Sequence, residues 1–92
     1  MSRVDIKKLK QYARQHSIRS MGIFGSRARG DAKATSDLDI LIECKPSRSL
    51  LELSRMQREL SQLLQIKVDL ITKGALSPYI KKNILKELKP IV

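Results

Sequence analysis

Apolar positions along the chain follow two periods, one typical of amphipathic helices and one typical of short buried strands. Three segments place apolar residues three and four positions apart with charged residues between them, and these predict helices over residues 4–16, 49–64 and 78–88. Three shorter runs are rich in apolar and branched residues, and these predict strands over residues 20–24, 38–44 and 66–71.

Short polar signals mark the boundaries of these elements. Gly25-Ser26 ends the first strand and predicts a turn into a short helix that Gly30 closes. Ser77-Pro78 supplies an N-cap and a proline at the first position of the last helix. The order α-β-(α)-β-α-β-α, without repeat or linker, predicts a single α/β domain over residues 1–92.

Composition narrows the class of protein. The chain of 92 residues is 41% hydrophobic, and no apolar run approaches the roughly 20 residues that span a bilayer. The N-terminus has no apolar segment after its charges, so we expect no secretory signal, no membrane partner and a cytoplasmic location. Cys44 is the single cysteine, which excludes an internal disulfide and a zinc framework.

The charge balance favours an anionic partner. There are 19 Lys and Arg residues against 9 Asp and Glu, a formal net charge of +10. Nucleotide, nucleic acid and an acidic protein are all compatible with this charge. Aromatic residues make up only 3% of the chain, which argues against a surface that stacks bases.

Three aspartates are the candidate metal ligands. Asp37 and Asp39 are two residues apart and so project from one side of a strand, where oxygen ligands suit Mg²⁺ or Mn²⁺. Taken alone, the pair is better explained as a loop aspartate that caps a turn, followed by an exposed strand aspartate. Asp69 lies inside an apolar strand, where Asp is disfavoured. If the third strand lies beside the second, Asp69 completes a two-metal site; a solvent-facing aspartate is the alternative.

Gly25-Ser26 is the candidate phosphate site. Glycine leaves the backbone open to close approach, and serine adds a hydroxyl donor at a helix start. Arg27 and Arg29 flank the pair and are candidates to neutralise phosphate charge. The glycine-serine pair alone is only a turn, but its separation from the aspartate pair makes a nucleotide triphosphate held by divalent metal the leading hypothesis.

These motifs resemble a known family. Residues 25–30 (GSRARG) and 36–39 (SDLD) resemble the signature of the DNA polymerase beta-like nucleotidyltransferase superfamily. The short chain and residues 67–71 (KVDLI) are similar to the minimal nucleotidyltransferases, the antitoxins of HEPN/MNT toxin–antitoxin pairs. The resemblance runs from about Ile23 to the end of the chain.

The resemblance implies an α/β nucleotidyltransferase fold with a small mixed sheet and helices mainly on one face. It implies Mg²⁺-dependent transfer of AMP from ATP to a hydroxyl. Asp37 and Asp39 would hold two Mg²⁺ ions, Asp69 would help to bind one and to activate the hydroxyl, and Gly25 and Ser26 would seat the β- and γ-phosphates. In related antitoxins the acceptor is a tyrosine of the HEPN-domain toxin, which is thereby inactivated.

Two other functions stay open at this point. The chain could neutralise a toxin by binding alone, without using its aspartates, or it could act on RNA, as its charge of +10 allows. We favour the enzyme, because every motif position keeps a chemically competent residue. Only one helix is predicted after the third strand, so a partner protein fits best as the bearer of the acceptor.

Overall fold

The computed structural model describes residues 4–33, 35–44 and 46–92. Its elements are α1 (Ile6–Gln15), β1 (Ile18–Phe24), α2 (Ser26–Arg29), β2 (Leu38–Cys44), α3 (Leu50–Leu64), β3 (Val68–Thr72), a 3-10 turn (Lys73–Ala75), α4 (Pro78–Glu87) and β4 (Lys89–Pro90). Every helix and strand that the periodicity predicts is present. The 3-10 turn and β4 are additions.

The strands form one mixed sheet with the order β3-β2-β1-β4. β1 pairs antiparallel with both β2 and β4, whereas β2 and β3 are parallel and are connected through α3. This arrangement confirms the predicted fold class. It also confirms that the third predicted strand lies beside the second, which is the condition for bringing Asp69 to the other two aspartates.

Side-chain caps begin the three long helices. Asp5 accepts from the Lys8 N–H at 3.1 Å at the start of α1, and Ser49 accepts from the Glu52 N–H at 3.2 Å at the start of α3. Ser77 caps α4, with Pro78 at its first position, as the sequence predicts. Within the described ranges, the helices are too short and too polar to cross a membrane.

The larger core lies between the sheet and helices α1 and α3. Alternate residues of β2 point into it, and Leu38, Ile40 and Ile42 are fully buried there. Both helices contribute fully buried leucines, Leu9 from α1 and Leu60 from α3. Two of the three long helices therefore lie on one face of the sheet, as the resemblance implies.

Helix α4 covers part of the opposite face. Phe24, Leu41 and Ile84 are buried in a second, smaller core there. Gly22 in β1 makes room for this packing, since a Cβ at that position would lie 2.7 Å from Leu88 Cδ1. The chain direction of α4 brings its last residue, Glu87, back to the end of β1 where Gly25 lies.

Candidate active site

Asp39 and Asp69 are neighbours across two parallel strands. The register pairs Asp39 of β2 directly with Asp69 of β3, so both side chains project from the same face of the sheet. Asp37 lies one residue before β2, where the Leu38 N–H donates to the Lys67 carbonyl at 2.9 Å and extends the pairing. The predicted juxtaposition of the second and third strands thus brings the candidate carboxylates to one end of the sheet.

The charges at this end act on one another. Burial raises the pKa of the half-buried Asp39, and the negative charges of Asp69, Asp37 and Glu87 raise it further, whereas Arg29 opposes the rise. Asp37 lies 3.9 Å from the Lys67 ammonium, measured from Oδ2 to Nζ, while Asp69 is exposed. Four carboxylates therefore share one neighbourhood, and a cation there would relieve their repulsion.

Gly25 lies against Asp39 because Phe24 pairs with Asp39 in the β1–β2 register. Its backbone has φ +78°, in the region that favours glycine. A Cβ on Gly25 would overlap Asp39 Oδ2, so a side chain at this position would displace the carboxylate. The predicted phosphate turn and the predicted metal ligands are therefore in direct contact.

Glu87 is a site residue that the sequence reasoning missed. Its Oε1 accepts from the Gly25 N–H and its Oε2 accepts from Arg29 Nη1, both at 3.0 Å. These two bonds lower the pKa of Glu87. A signal existed, because an acidic residue near the C-terminal end of a helix is disfavoured by the helix dipole and Glu87 ends α4 there.

The two arginines beside the turn have different contacts. Arg29 donates from Nη1 to Glu87, the same side chain that accepts from the Gly25 N–H. The Nε of Arg29 also donates to Asp31 Oδ2 at 3.3 Å. Arg27 instead donates from Nε and Nη2 to the Ser36 carbonyl, at 3.2 and 2.7 Å. Arg27 thus ties α2 to the loop that leads into Asp37. Phosphate binding by Arg27 stays a prediction.

The donor chemistry of this end of the sheet fits Mg²⁺. Carboxylate oxygens are the ligands that Mg²⁺ prefers, and Asp37, Asp39 and Asp69 supply three carboxylates in one neighbourhood. Within the described residues, no three His, Cys, Asp or Glu side chains already stand in metal-binding geometry. Side-chain rotation would have to bring the carboxylates together around an ion.

Comparison with known sequences gives consistent matches. The sequence profile described as "nucleotidyltransferase domain" matches residues 6–91. A Methanocaldococcus jannaschii protein, provisionally named a protein adenylyltransferase, is 46% identical over 80 residues, which cover 86% of this chain and 82% of that protein. The protein adenylyltransferase MntA of Thermococcus cleftensis is 38% identical over 79 residues, covering 86% of this chain and 80% of that one.

Solved structures share the fold. A toxin–antitoxin structure with AMP-PNP superimposes with a TM-score of 0.88 at 19% identity, over 97% of this chain and 73% of that one. A complex of a tri-AMPylated Shewanella oneidensis HEPN toxin with an MNT antitoxin gives a TM-score of 0.77 at 17% identity, over 95% and 68% of the two chains. At these identities the likeness shows the fold alone.

Proposed function

The chain belongs to the nucleotidyltransferase domain family, and on that premise we propose that it transfers AMP from ATP to a tyrosine hydroxyl of a partner protein. The partner we propose is a HEPN-domain toxin, with this chain as the antitoxin that inactivates it in the cytoplasm. The observation that carries the proposal is the pairing of Asp39 with Asp69 beside Gly25. A site of carboxylates in contact with a glycine turn suits a metal-bound triphosphate.

Asp37, Asp39 and Asp69 are the residues that would hold Mg²⁺. When bound, Mg²⁺ supplies Lewis-acid polarisation of the phosphate oxygens and neutralises the charge that develops on them. Asp39 is central in this set, since it lies between Asp69 in the neighbouring strand and Gly25 at the turn. Its raised pKa favours a bound cation, because a cation removes the repulsion that destabilises the ionised form.

The triphosphate would lie along the turn. The Gly25 N–H, the Ser26 hydroxyl and the Arg29 guanidinium are the donors that we assign to its β- and γ-phosphates. The absence of a side chain lets the Gly25 backbone lie against the Asp39 carboxylate, because a Cβ at this position would overlap Asp39 Oδ2. Arg27 supports the same arrangement indirectly, since it fixes the loop before Asp37 through the Ser36 carbonyl.

In the proposed step the acceptor oxygen attacks the α-phosphorus and forms a new phosphorus–oxygen bond. The bond from the α-phosphorus to the bridging oxygen breaks, and pyrophosphate leaves. Asp69 accepts the proton of the acceptor hydroxyl. Asp69 is exposed and lies on β3, the edge strand of the sheet, so a side chain of another protein can approach it from solution.

The choice of a protein acceptor has support outside the site. The two relatives are named protein adenylyltransferases, and both are matched over about four fifths of their length (82% and 80%). The solved complex contains an AMPylated HEPN toxin beside an antitoxin of this fold. A formal charge of +10 on this chain also favours association with an acidic protein surface.

The intact mass of the partner tests the proposal. A HEPN-domain protein from the same genome is incubated with ATP, Mg²⁺ and the chain, under conditions where the two proteins bind. Wild type should add one or more AMP masses to the partner, and Asp39→Asn should add none. Asp5→Asn is the matched control, because it removes a carboxylate from the cap of α1 but keeps a capping residue.

Two results would contradict the proposal. A partner that wild type binds and inhibits without any gain in mass would indicate neutralisation by binding alone. An equal gain in partner mass with wild type and with Asp39→Asn would show that transfer does not depend on Asp39.

A further inference from the structure

A carboxylate of this chain already occupies two of the three donors that we assign to the triphosphate. Glu87 accepts from the Gly25 N–H through one oxygen and from Arg29 through the other, each at 3.0 Å. A carboxylate and a phosphate present the same feature to these donors, an anionic group with two or more acceptor oxygens. The backbone N–H has a single hydrogen to donate, so it serves Glu87 or a phosphate.

The backbone fixes Glu87 in this place. Glu87 is the last residue of α4, whose Ile84 is buried in the smaller core, and Leu88 then packs against Gly22. The following strand β4 pairs with β1 at Gly22 and Ile23. Since the chain is anchored on both sides of Glu87, a rotation of its side chain frees the two donors without any movement of the backbone.

Resting on the function proposed above, we propose that Glu87 is an internal competitor of the nucleoside triphosphate and sets the affinity of this site for it. The triphosphate binds when its phosphate oxygens replace the Glu87 carboxylate on Gly25 and Arg29. The displaced carboxylate stays near the site, where its negative charge also opposes the triphosphate. After transfer, Glu87 returns to the same donors and promotes the release of pyrophosphate.

A different role for Glu87 predicts the opposite effect. If the carboxylate served only to hold Gly25 and Arg29 in position for the phosphates, its removal would disorder both donors and weaken nucleotide binding. A competitor, by contrast, strengthens binding when it is removed. The sign of the change in affinity therefore separates competition from positioning.

The dissociation constants of Mg²⁺-ATP, inorganic tripolyphosphate and adenosine, measured by calorimetry, test the inference. Glu87→Gln loses the charge and one strong acceptor, so we expect about fivefold lower Kd for both triphosphates, the scale of a partly exposed ion pair. Glu87→Asp keeps the charge but shortens the reach, and it should tighten both triphosphates to a smaller degree. Adenosine, which carries no phosphate, should bind equally to all forms.

Glu43→Gln is the matched control. It removes one carboxylate from β2 at the end away from Gly25, where Glu43 pairs only loosely with Arg19 at 3.9 Å. An equal tightening by Glu43→Gln would assign the effect to net charge and overturn the inference. Unchanged or weaker triphosphate binding by Glu87→Gln would overturn it as well. A wild-type chain that binds no triphosphate would refute the proposed function itself, and the inference with it.

Discussion

Gly25 is the residue on which the candidate site depends most directly. Two independent constraints act on it, a backbone with φ +78° and the contact with Asp39 that leaves no space for a Cβ. Gly30, at the end of α2, has φ +85°, but a Cβ added there would meet nothing within 4 Å. A substitution at either glycine strains the backbone, but only a substitution at Gly25 also crowds the site. Comparing the two variants therefore separates these two effects.

Gly25→Ala should abolish transfer, with a loss of at least about 100-fold, because the new methyl group displaces a proposed metal ligand. Gly30→Ala should cost about 1 kcal/mol of stability through strain and leave the transfer rate within about twofold of wild type. Transfer rates and urea unfolding of both variants check this. Equal activity losses in the two variants would contradict the assignment.

Tyr12 provides a pH-dependent contribution to stability. Burial, followed by the hydrogen bond that its hydroxyl donates to Glu59 Oε1 at 2.7 Å, raises the pKa of Tyr12 well above its ordinary value. A raised pKa means that the protonated hydroxyl is favoured in the folded state. This stabilisation is complete below about pH 10, the ordinary tyrosine pKa, and is lost as the pH rises beyond it.

Tyr12→Phe should therefore lower the free energy of unfolding by about 1 kcal/mol at neutral pH. The difference from wild type should narrow above about pH 10, because Tyr12 then ionises in the unfolded chain and favours unfolding, whereas phenylalanine does not ionise. Urea unfolding from neutral to alkaline pH measures both quantities. A difference that stays constant or widens across this range would show that the hydrogen bond is not its source.

Single residues could be predicted where their chemistry conflicts with their local setting. Asp69 is predictable because a charged residue interrupts an apolar strand, and the register then places it beside Asp39. Glu87 could not be assigned to the turn, since its contact with Gly25 spans 62 positions and depends on where α4 ends. The contact of Arg27 with the Ser36 carbonyl likewise depends on the path of the loop.

At the scale of elements, α3 closes the open edge of the sheet. β3 pairs with β2 on one side only, and the outward N–H groups of such an edge strand can pair with another chain unless they are covered. Gln57 Oε1 accepts from the Leu70 N–H at 2.8 Å, and Ser61 Oγ accepts from the Val68 N–H at 2.9 Å. Two side chains of one helix thus replace the missing neighbour strand.

Gln57→Met should destabilise the fold by about 1–3 kcal/mol, because it leaves the Leu70 N–H without its acceptor. It should also increase self-association through the β3 edge. Unfolding and sedimentation measurements detect the two effects. Gln62→Met on the exposed side of the same helix is the control and should change neither; a similar change there would point to added hydrophobicity instead of the lost bond.

Long periodic elements were predictable, whereas the two elements of two and three residues were not. Helix α3 follows directly from the spacing of its leucines, and Ser49 and Gln65 bound it at the two ends. β4 has two residues, too few for any period, and it exists because Gly22 and Ile23 offer it a partner. The 3-10 turn Lys73–Ala75 is equally too short to carry a pattern.

At the scale of the whole molecule, a basic chain surrounds an acidic site. The formal charge is +10, yet Asp37, Asp39, Asp69 and Glu87 lie together at one end of the sheet. The overall positive charge attracts an anionic nucleotide or protein. The local carboxylates repel an anion, so a bound cation has to neutralise them before a triphosphate can bind beside them. Because the net charge of the chain and the local charge of the site have opposite signs, composition alone could suggest an anionic partner without indicating where it binds.

The family match confirms the predicted fold class and enzyme class. Both could be predicted because the motif residues and their spacing are local features of the sequence. The acceptor stays a prediction for a physical reason. Asp69 is exposed on the edge strand β3, and in the proposed reaction the hydroxyl that approaches it comes from another molecule. No pattern in this chain can encode the residue that the partner supplies.

The most direct test of the proposed nucleotidyl transfer follows the position of a radiolabel in ATP. The chain, Mg²⁺ and a HEPN-domain partner are incubated with ATP labelled in the α-phosphate or, separately, in the γ-phosphate. The proposed reaction transfers the α label to the partner and releases the γ label as pyrophosphate, and Asp39→Asn transfers neither. Label on the partner from γ-labelled ATP, or no label from either form while the two proteins are bound, would contradict the account.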